Sequence, residues 1–191
     1  MIKKSIISLQ QINSAASVVQ DELFKVGLWF EGSKLAETEI YWCALSPLSL
    51  FDANGFFTHC VSPMQKILGF EEGHIYIPSF VLSQKIWQKR GSIRDVIRHE
   101  YAHSLAHRYP KLISKSDFKK TFGGDYYSND PIKMEKKAFI SKYARDMPME
   151  DFAETFMVYV WRKGVIPPTI KNVRLIKKWQ YLDRLINLIN K

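Results

Sequence analysis

The sequence predicts an α+β fold, with a small mixed sheet in its amino-terminal half and mainly helices after it. Three observations carry this expectation. Two short aromatic-rich segments, Glu39–Leu45 and His74–Pro78, read as strands. One helix has both ends written in the sequence, at Ser92 and Pro110. Two long amphipathic patterns follow Pro148 and Thr169. The 191 residues are 46% hydrophobic and 14% aromatic, ample material for a buried core, so a disordered chain is excluded. That length predicts a single domain over 1–191, with the sheet and the Ser92 helix in 1–110 and a helical part in 111–191.

Taken in order, a first helix is expected from about Ile12 to Val26, with Val18, Val19, Leu23 and Val26 near helical spacing and Gly27 at its end. Pro47, Asn54-Gly55 and Pro63 punctuate an irregular region after the first strand. A turn at Glu72-Gly73 precedes the second strand. Ser92 suits a helix N-cap, and Asp95 three residues on makes a variant of the capping box. Ile93, Val96, Ile97 and Leu105 give that helix its apolar positions, and Pro110 stops it. A lysine-rich stretch then runs to Gly123-Gly124. Pro148 suits the first turn of the next helix; Phe152, Phe156, Tyr159 and Val160 form its buried face, and Gly164 ends it. Thr169 is the expected cap of a last helix, whose stripe is Val173, Ile176, Trp179, Leu182, Leu185, Ile186 and Ile189.

The amino terminus has no signal-peptide core, because the apolar run after Lys4 ends at Ser8 and Gln10, Gln11 and Asn13 follow. No stretch approaches the roughly 18 apolar residues of a membrane span. The expected location is cytoplasmic, or exported without an amino-terminal signal. Cys43 and Cys60 lack CxxC spacing and read as reduced core thiols. The net charge of +9 is concentrated at the carboxy-terminal end, where eight Lys or Arg residues between Arg162 and Lys191 meet one acid, Asp183. A solvated helix face explains that; an acidic partner surface is the sharper reading.

The chemistry sits in His99-Glu100-Tyr101-Ala102-His103. Residues four apart share one helix face, so two imidazoles there can converge on one ion, at Zn–N distances of about 2.0–2.1 Å. Glu100, beside them, can reach a water whose acidity the metal raises. Chance is a poor explanation, because the motif falls inside a segment that independently reads as a capped amphipathic helix.

A third ligand is needed. Ala106 and Tyr109 stand where HExxHxxGxxH requires glycine and histidine, so that pattern fails. His107 continues the row, yet lies about 12 Å along the axis from His99 and cannot share its ion. Downstream, Glu150-Asp151-Phe152-Ala153-Glu154 puts two glutamates on one helix face, with Asp151 rotated about 100° from Glu150. One glutamate can bind the metal while the other orients a ligand histidine.

With these residues assembled, the chain resembles the gluzincin class of metallopeptidases. Within it, the chain is similar to the catalytic domain of anthrax lethal factor and related bacterial zinc-binding metallopeptidases. The resemblance rests on the HExxH residues, on Tyr143 and on Glu150-Asp151-Phe152-Ala153-Glu154-Thr155-Phe156, and covers about Ile75 to Gly164. It implies a zincin-like fold, Zn2+ as cofactor, and His99, His103 and Glu150 as the metal ligands. It further implies Glu154 as the partner of a ligand histidine, Glu100 as general base, and Tyr143 as the group facing the oxyanion or the leaving group.

The expected activity is therefore zinc-dependent hydrolysis of a peptide or protein substrate, paired in extended form along Ile75–Ile77. The alternative is a non-enzymatic module that binds an acidic partner or nucleic acid through the basic terminal helix. Nucleic acid ranks lower, because no nucleic-acid fold signature is present and lysine rather than interleaved aromatics dominates the basic face.

Overall fold

The computed structural model describes residues 5–43, 56–67, 69–78, 80–81, 92–130 and 132–191. Pro47, Asn54-Gly55 and the Ala44-Leu45 end of the first predicted strand lie outside them. The architecture is the expected α+β arrangement. Strand β1 (Ser5–Ile6) leads into helix α1 (Leu9–Lys25). Strands β2 (Ile40–Cys43), β3 (Phe56–Phe57) and β4 (Ile75–Pro78) form a mixed sheet in the order β2-β4-β3. Helix α2 (Pro63–Ile67) falls between β3 and β4, and β5 (Phe80–Val81) pairs antiparallel with β1. The helices that follow are α3 (Ile93–Arg108), α4 (Pro110–Ile113), α5 (Ser116–Phe122), α6 (Pro148–Trp161) and α7 (Val173–Ile189).

Within the sheet, β4 is central: Ile40–Cys43 run parallel to Ile75–Pro78, while Phe56 and Phe57 lie antiparallel opposite Tyr76 and Ile75. Ile75 and Tyr76 are thus paired on both sides. The expectation that a peptide adds to Ile75–Ile77 as a free edge is corrected on that ground.

The helix ends follow local chemistry. Helix α1 starts three residues earlier than expected, because Ser8 and Gln11 form a reciprocal capping box, with Ser8 N donating to Gln11 Oε1 at 2.9 Å. Helix α3 begins as expected after Ser92, whose N–H donates to Asp95 Oδ2 at 2.8 Å. Gly123, at φ 84°, closes α5 in the left-handed conformation that glycine adopts without strain. Helix α6 ends at Trp161, three residues short of Gly164. The cap of α7 is Asn172 and not Thr169: Asn172 Oδ1 accepts from Arg174 N at 2.9 Å, while Thr169 belongs to a turn in which Ile170 N donates to Pro167 O.

One hydrophobic core draws on α1, β4, α3, α5, α6 and α7, with Leu23, Ile75, Ile97, Phe118, Phe152, Phe156 and Leu182 deeply buried. Helix α3 crosses its middle, and every residue from Val96 to Ala106 is buried. Two buried ion pairs tie helices to this centre. Arg98 on α3 donates to Glu22 of α1 through Nε at 2.7 Å and Nη2 at 2.9 Å. Lys178 on α7, fully buried, forms an ion pair with Asp151 Oδ2 of α6 at 2.6 Å and donates to the Ala138 carbonyl at 2.6 Å. The predicted stripe on α7 is corrected accordingly. Val173 is exposed, and the buried face runs through Leu175, Lys178, Trp179, Tyr181, Leu182, Leu185 and Ile186. A lysine inside that stripe belongs to the core, which removes one of the eight basic residues from the surface.

Lys178→Ala leaves Asp151 without its cation in a dry environment, so we expect a loss of about 3–5 kcal/mol of stability. Lys177→Ala, on the exposed face, should change stability by no more than about 0.5 kcal/mol. Urea midpoints of the two variants, measured side by side, check the contrast.

Candidate metal centre

Helices α3 and α6 pack against one another and bring their polar residues together at the contact. A four-residue spacing sets His99 and His103 one turn apart on α3, and their Nε2 atoms stand 3.1 Å from each other. From α6, Glu150 reaches the same point, with Oε2 3.1 Å from His99 Nε2 and Oε1 4.0 Å from His103 Nε2. One ligand atom from each of the three lies within 4.8 Å of the others, and all three residues are buried. Glu154, one turn along α6, accepts a 2.9 Å hydrogen bond from His99 Nδ1. That bond orients the ring and turns Nε2 toward Glu150, where it can hold a proton or a metal ion. Asp151 points elsewhere, to Lys178.

The donor set fits a cation. Two imidazole nitrogens and a carboxylate are held together in a buried space, and Glu150 Oε2, shut off from solvent there, faces His99 Nε2. Burial alone would drive His99 toward the neutral form. The Glu150 and Glu154 hydrogen bonds and the Glu100 charge overcome it and hold His99 up at about 10. Burial likewise works to raise the Glu150 carboxyl, but His99, His103 and a hydrogen bond from Tyr143 bring it below its ordinary value. Both shifts have one cause: the site attracts positive charge. Two nitrogens and one oxygen converging in this way are a zinc-type set.

Glu100 is buried on α3 beside the ligand candidates, close enough for its charge to act on His99. Tyr143 opens a short 3-10 turn, Tyr143–Arg145, just ahead of α6. Its ring centroid lies 5.8 Å from that of His99. His107 lies apart from the cluster, a half-buried residue with Nε2 3.9 Å from Glu72.

Two further residues border the site: Tyr126, from the Gly123–Tyr127 stretch that reads as a turn as readily as part of a substrate cleft, and His59, to which no sequence pattern points. Tyr126 is hydrogen-bonded through its hydroxyl to His103 Nδ1 at 2.8 Å, the counterpart of the Glu154 contact to His99. Burial holds its phenol well above the usual range, so it stays protonated. Gly124 makes its placement possible, since a Cβ there would come within 2.8 Å of Pro148, the first residue of α6. His59, two residues beyond β3, sets its ring 5.7 Å from that of His103. Burial, reinforced by His107, holds His59 down at about 4 and hence neutral.

Residues 63–165, just over half of the chain, match the model of the family described as "Putative zinc-binding metallo-peptidase". The match spans β4, α3 and α6 and so includes all three converging residues. Comparison with curated proteins and with solved structures gave no match.

Removing the Tyr126 hydroxyl should loosen His103. Tyr126→Phe is expected to weaken zinc about 10- to 100-fold, read by competition with a chelator. Zinc must also displace the proton that His99 holds below about pH 10. Affinity should therefore rise with pH between about 6 and 8, by about tenfold per unit for each proton released. Calorimetry in buffers of different ionisation enthalpy counts those protons.

Proposed function

The chain belongs to the zinc-binding metallo-peptidase family, and we propose that it hydrolyses peptide bonds at the centre formed by His99, His103 and Glu150. The observation that carries this reading is the meeting of three buried donors from two helices, with His99 locked by Glu154 from behind. Zinc held by these three residues would supply a Lewis acid for the scissile carbonyl and an acidified water. Glu100 takes the proton from that water and returns it to the leaving amine. Tyr143, beside His99 and Glu150, donates its phenol O–H to the oxyanion as charge develops. The HExxH motif with a downstream glutamate supports a gluzincin assignment. The tyrosine seven residues before Glu150, together with the Glu154 contact, supports likeness to the lethal-factor catalytic domain.

The substrate strand pairs with β3. In the sheet order β2-β4-β3 this strand is outermost among the described residues, and it leads directly to His59 and the centre. An extended peptide added there runs past the metal ligands with its main chain hydrogen-bonded.

A second surface supports an acidic protein partner. A cleft of about 850 Å³ between α5 and the start of α7 is lined by Lys120, Lys171, Arg174 and Lys177. Of its two acids, Asp117 is paired with Arg184 at 2.9 Å and Glu135 accepts from Asn172 Nδ2 at 3.2 Å. Among the described residues no aromatic side chain lines this cleft, so bases have nothing to stack on and a carboxylate-rich peptide suits it better than nucleic acid.

Glu100→Gln should retain about one zinc per chain and lose peptidase activity by a factor of at least about 10³, whereas His99→Ala should lose the metal itself. Mass spectrometry and a quenched-peptide assay separate the two. Full activity in Glu100→Gln would sink the mechanism. Arg174→Glu combined with Lys177→Glu should weaken binding of a poly-glutamate peptide and flatten its salt dependence, with zinc content unchanged.

A further inference from the structure

His59 is half-buried, and both of its ring nitrogens are shut off from solvent with no hydrogen-bond partner among the described residues. An imidazole carries one N–H and one lone pair in its neutral form, and burying them unmatched is costly. The other four histidines all face polar partners: His74 accepts from Glu39 N, His99 and His103 are engaged as described, and His107 stands near Glu72. The rings around His59 offer it edges and faces only, with centroids of Phe57 at 4.9 Å, His103 at 5.7 Å and Tyr127 at 5.7 Å. Tyr127 is itself 62% exposed, so this wall opens at the surface.

The position of His59 is fixed by the preceding residue. Thr58 N donates to His74 O at 3.0 Å, Gly73 N donates to Thr58 O at 2.8 Å, and the Thr58 hydroxyl donates to Glu71 O. The chain is thereby clamped to the turn before β4, and the imidazole projects from a rigid strand end beside His103. Tyr143 stands against His99 in the same way. A residue held this firmly, with unmatched polar atoms next to the centre, is preorganised for a ligand.

We infer that His59 hydrogen-bonds the main chain of the bound peptide substrate on the His103 side of the centre, while Tyr143 serves the His99 side. The inference rests on the peptidase reading and adds a substrate-contacting residue to it. No role in metal binding is assigned to His59.

The test uses the zinc-loaded protein and two probes: acetohydroxamate, which reports the metal alone, and a pool of dipeptidyl hydroxamates, which adds main-chain contacts. His59→Phe should keep zinc and acetohydroxamate binding, and should bind the dipeptidyl pool about 3- to 10-fold more weakly. His59→Leu takes its place if the Phe variant does not fold. His59→Asn, which restores an N–H, should recover part of the loss. Undiminished binding of the pool by the apolar variant, or a loss of zinc in every variant, would overturn the inference and leave the peptidase reading in place. The inference also falls if wild type binds the pool no better than acetohydroxamate. Wild type that holds zinc and binds neither probe would overturn the peptidase reading itself, and the role of His59 with it.

Discussion

A carboxylate taken out of water costs several kcal/mol unless positive charge stands beside it, and the contact between α3 and α6 buries three: Glu100, Glu150 and Asp151. Much of the structure follows from how these charges are met. Asp151 is answered by Lys178, and that single contact brings α7 across the helical part and ties it to the Ala138 carbonyl. Glu150 and Glu154 are answered by His99, which in turn aligns α6 with α3. The two answers differ in kind. Lys178 carries its own positive charge, whereas the imidazoles match the glutamates fully only when a proton or a metal ion sits between them.

The amino-terminal side of α3 is held by a separate set. Asp95 accepts from Ser92 at the helix start and also from Arg98 at 2.5 Å, and Arg98 spans to Glu22 on α1. Helix start, ion pair and packing against α1 are thus one connected network. It lies one residue from His99, so the rotation of α3 that presents both imidazoles to α6 is set before the centre is reached. The same helix is buried on all sides from Val96 to Ala106, which leaves it little freedom to turn.

Much of this is legible in the sequence, for identifiable reasons. Ser92 and Asp95 announce the start of α3, because capping chemistry is local. His99, His103, Glu150 and Glu154 can be nominated because helical spacing alone places each pair on one face. That the two pairs meet is a fact of packing across 46 intervening residues, and no spacing rule reaches so far. Lys178 reads as a surface residue because a charge inside an apolar stripe looks solvated until its partner is seen. Tyr126 shows only as part of the Gly123–Tyr127 stretch, as readily a turn as a cleft wall, and His59 carries no signal, since the significance of both depends on where a loop after α5 and the end of β3 arrive. The strand Ile75–Pro78 is visible; its central position is not, because the partner Phe56–Phe57 is too short to show alternation.

The separation of the two donor pairs also has a topological meaning. His103 and Glu150 bracket a loop of 46 residues that holds α4, α5 and the Tyr143 turn. An ion bound to both ends acts as a reversible cross-link, comparable in the unfolded-state entropy it removes to a disulfide closing a loop of that size, about 4 kcal/mol. Unlike a disulfide, such a clasp answers to metal supply and acidity rather than to redox potential. In a chain whose two cysteines are unpaired, it would add, while the ion is present, a further tie between the carboxy-terminal helices and the sheet half that already share one core.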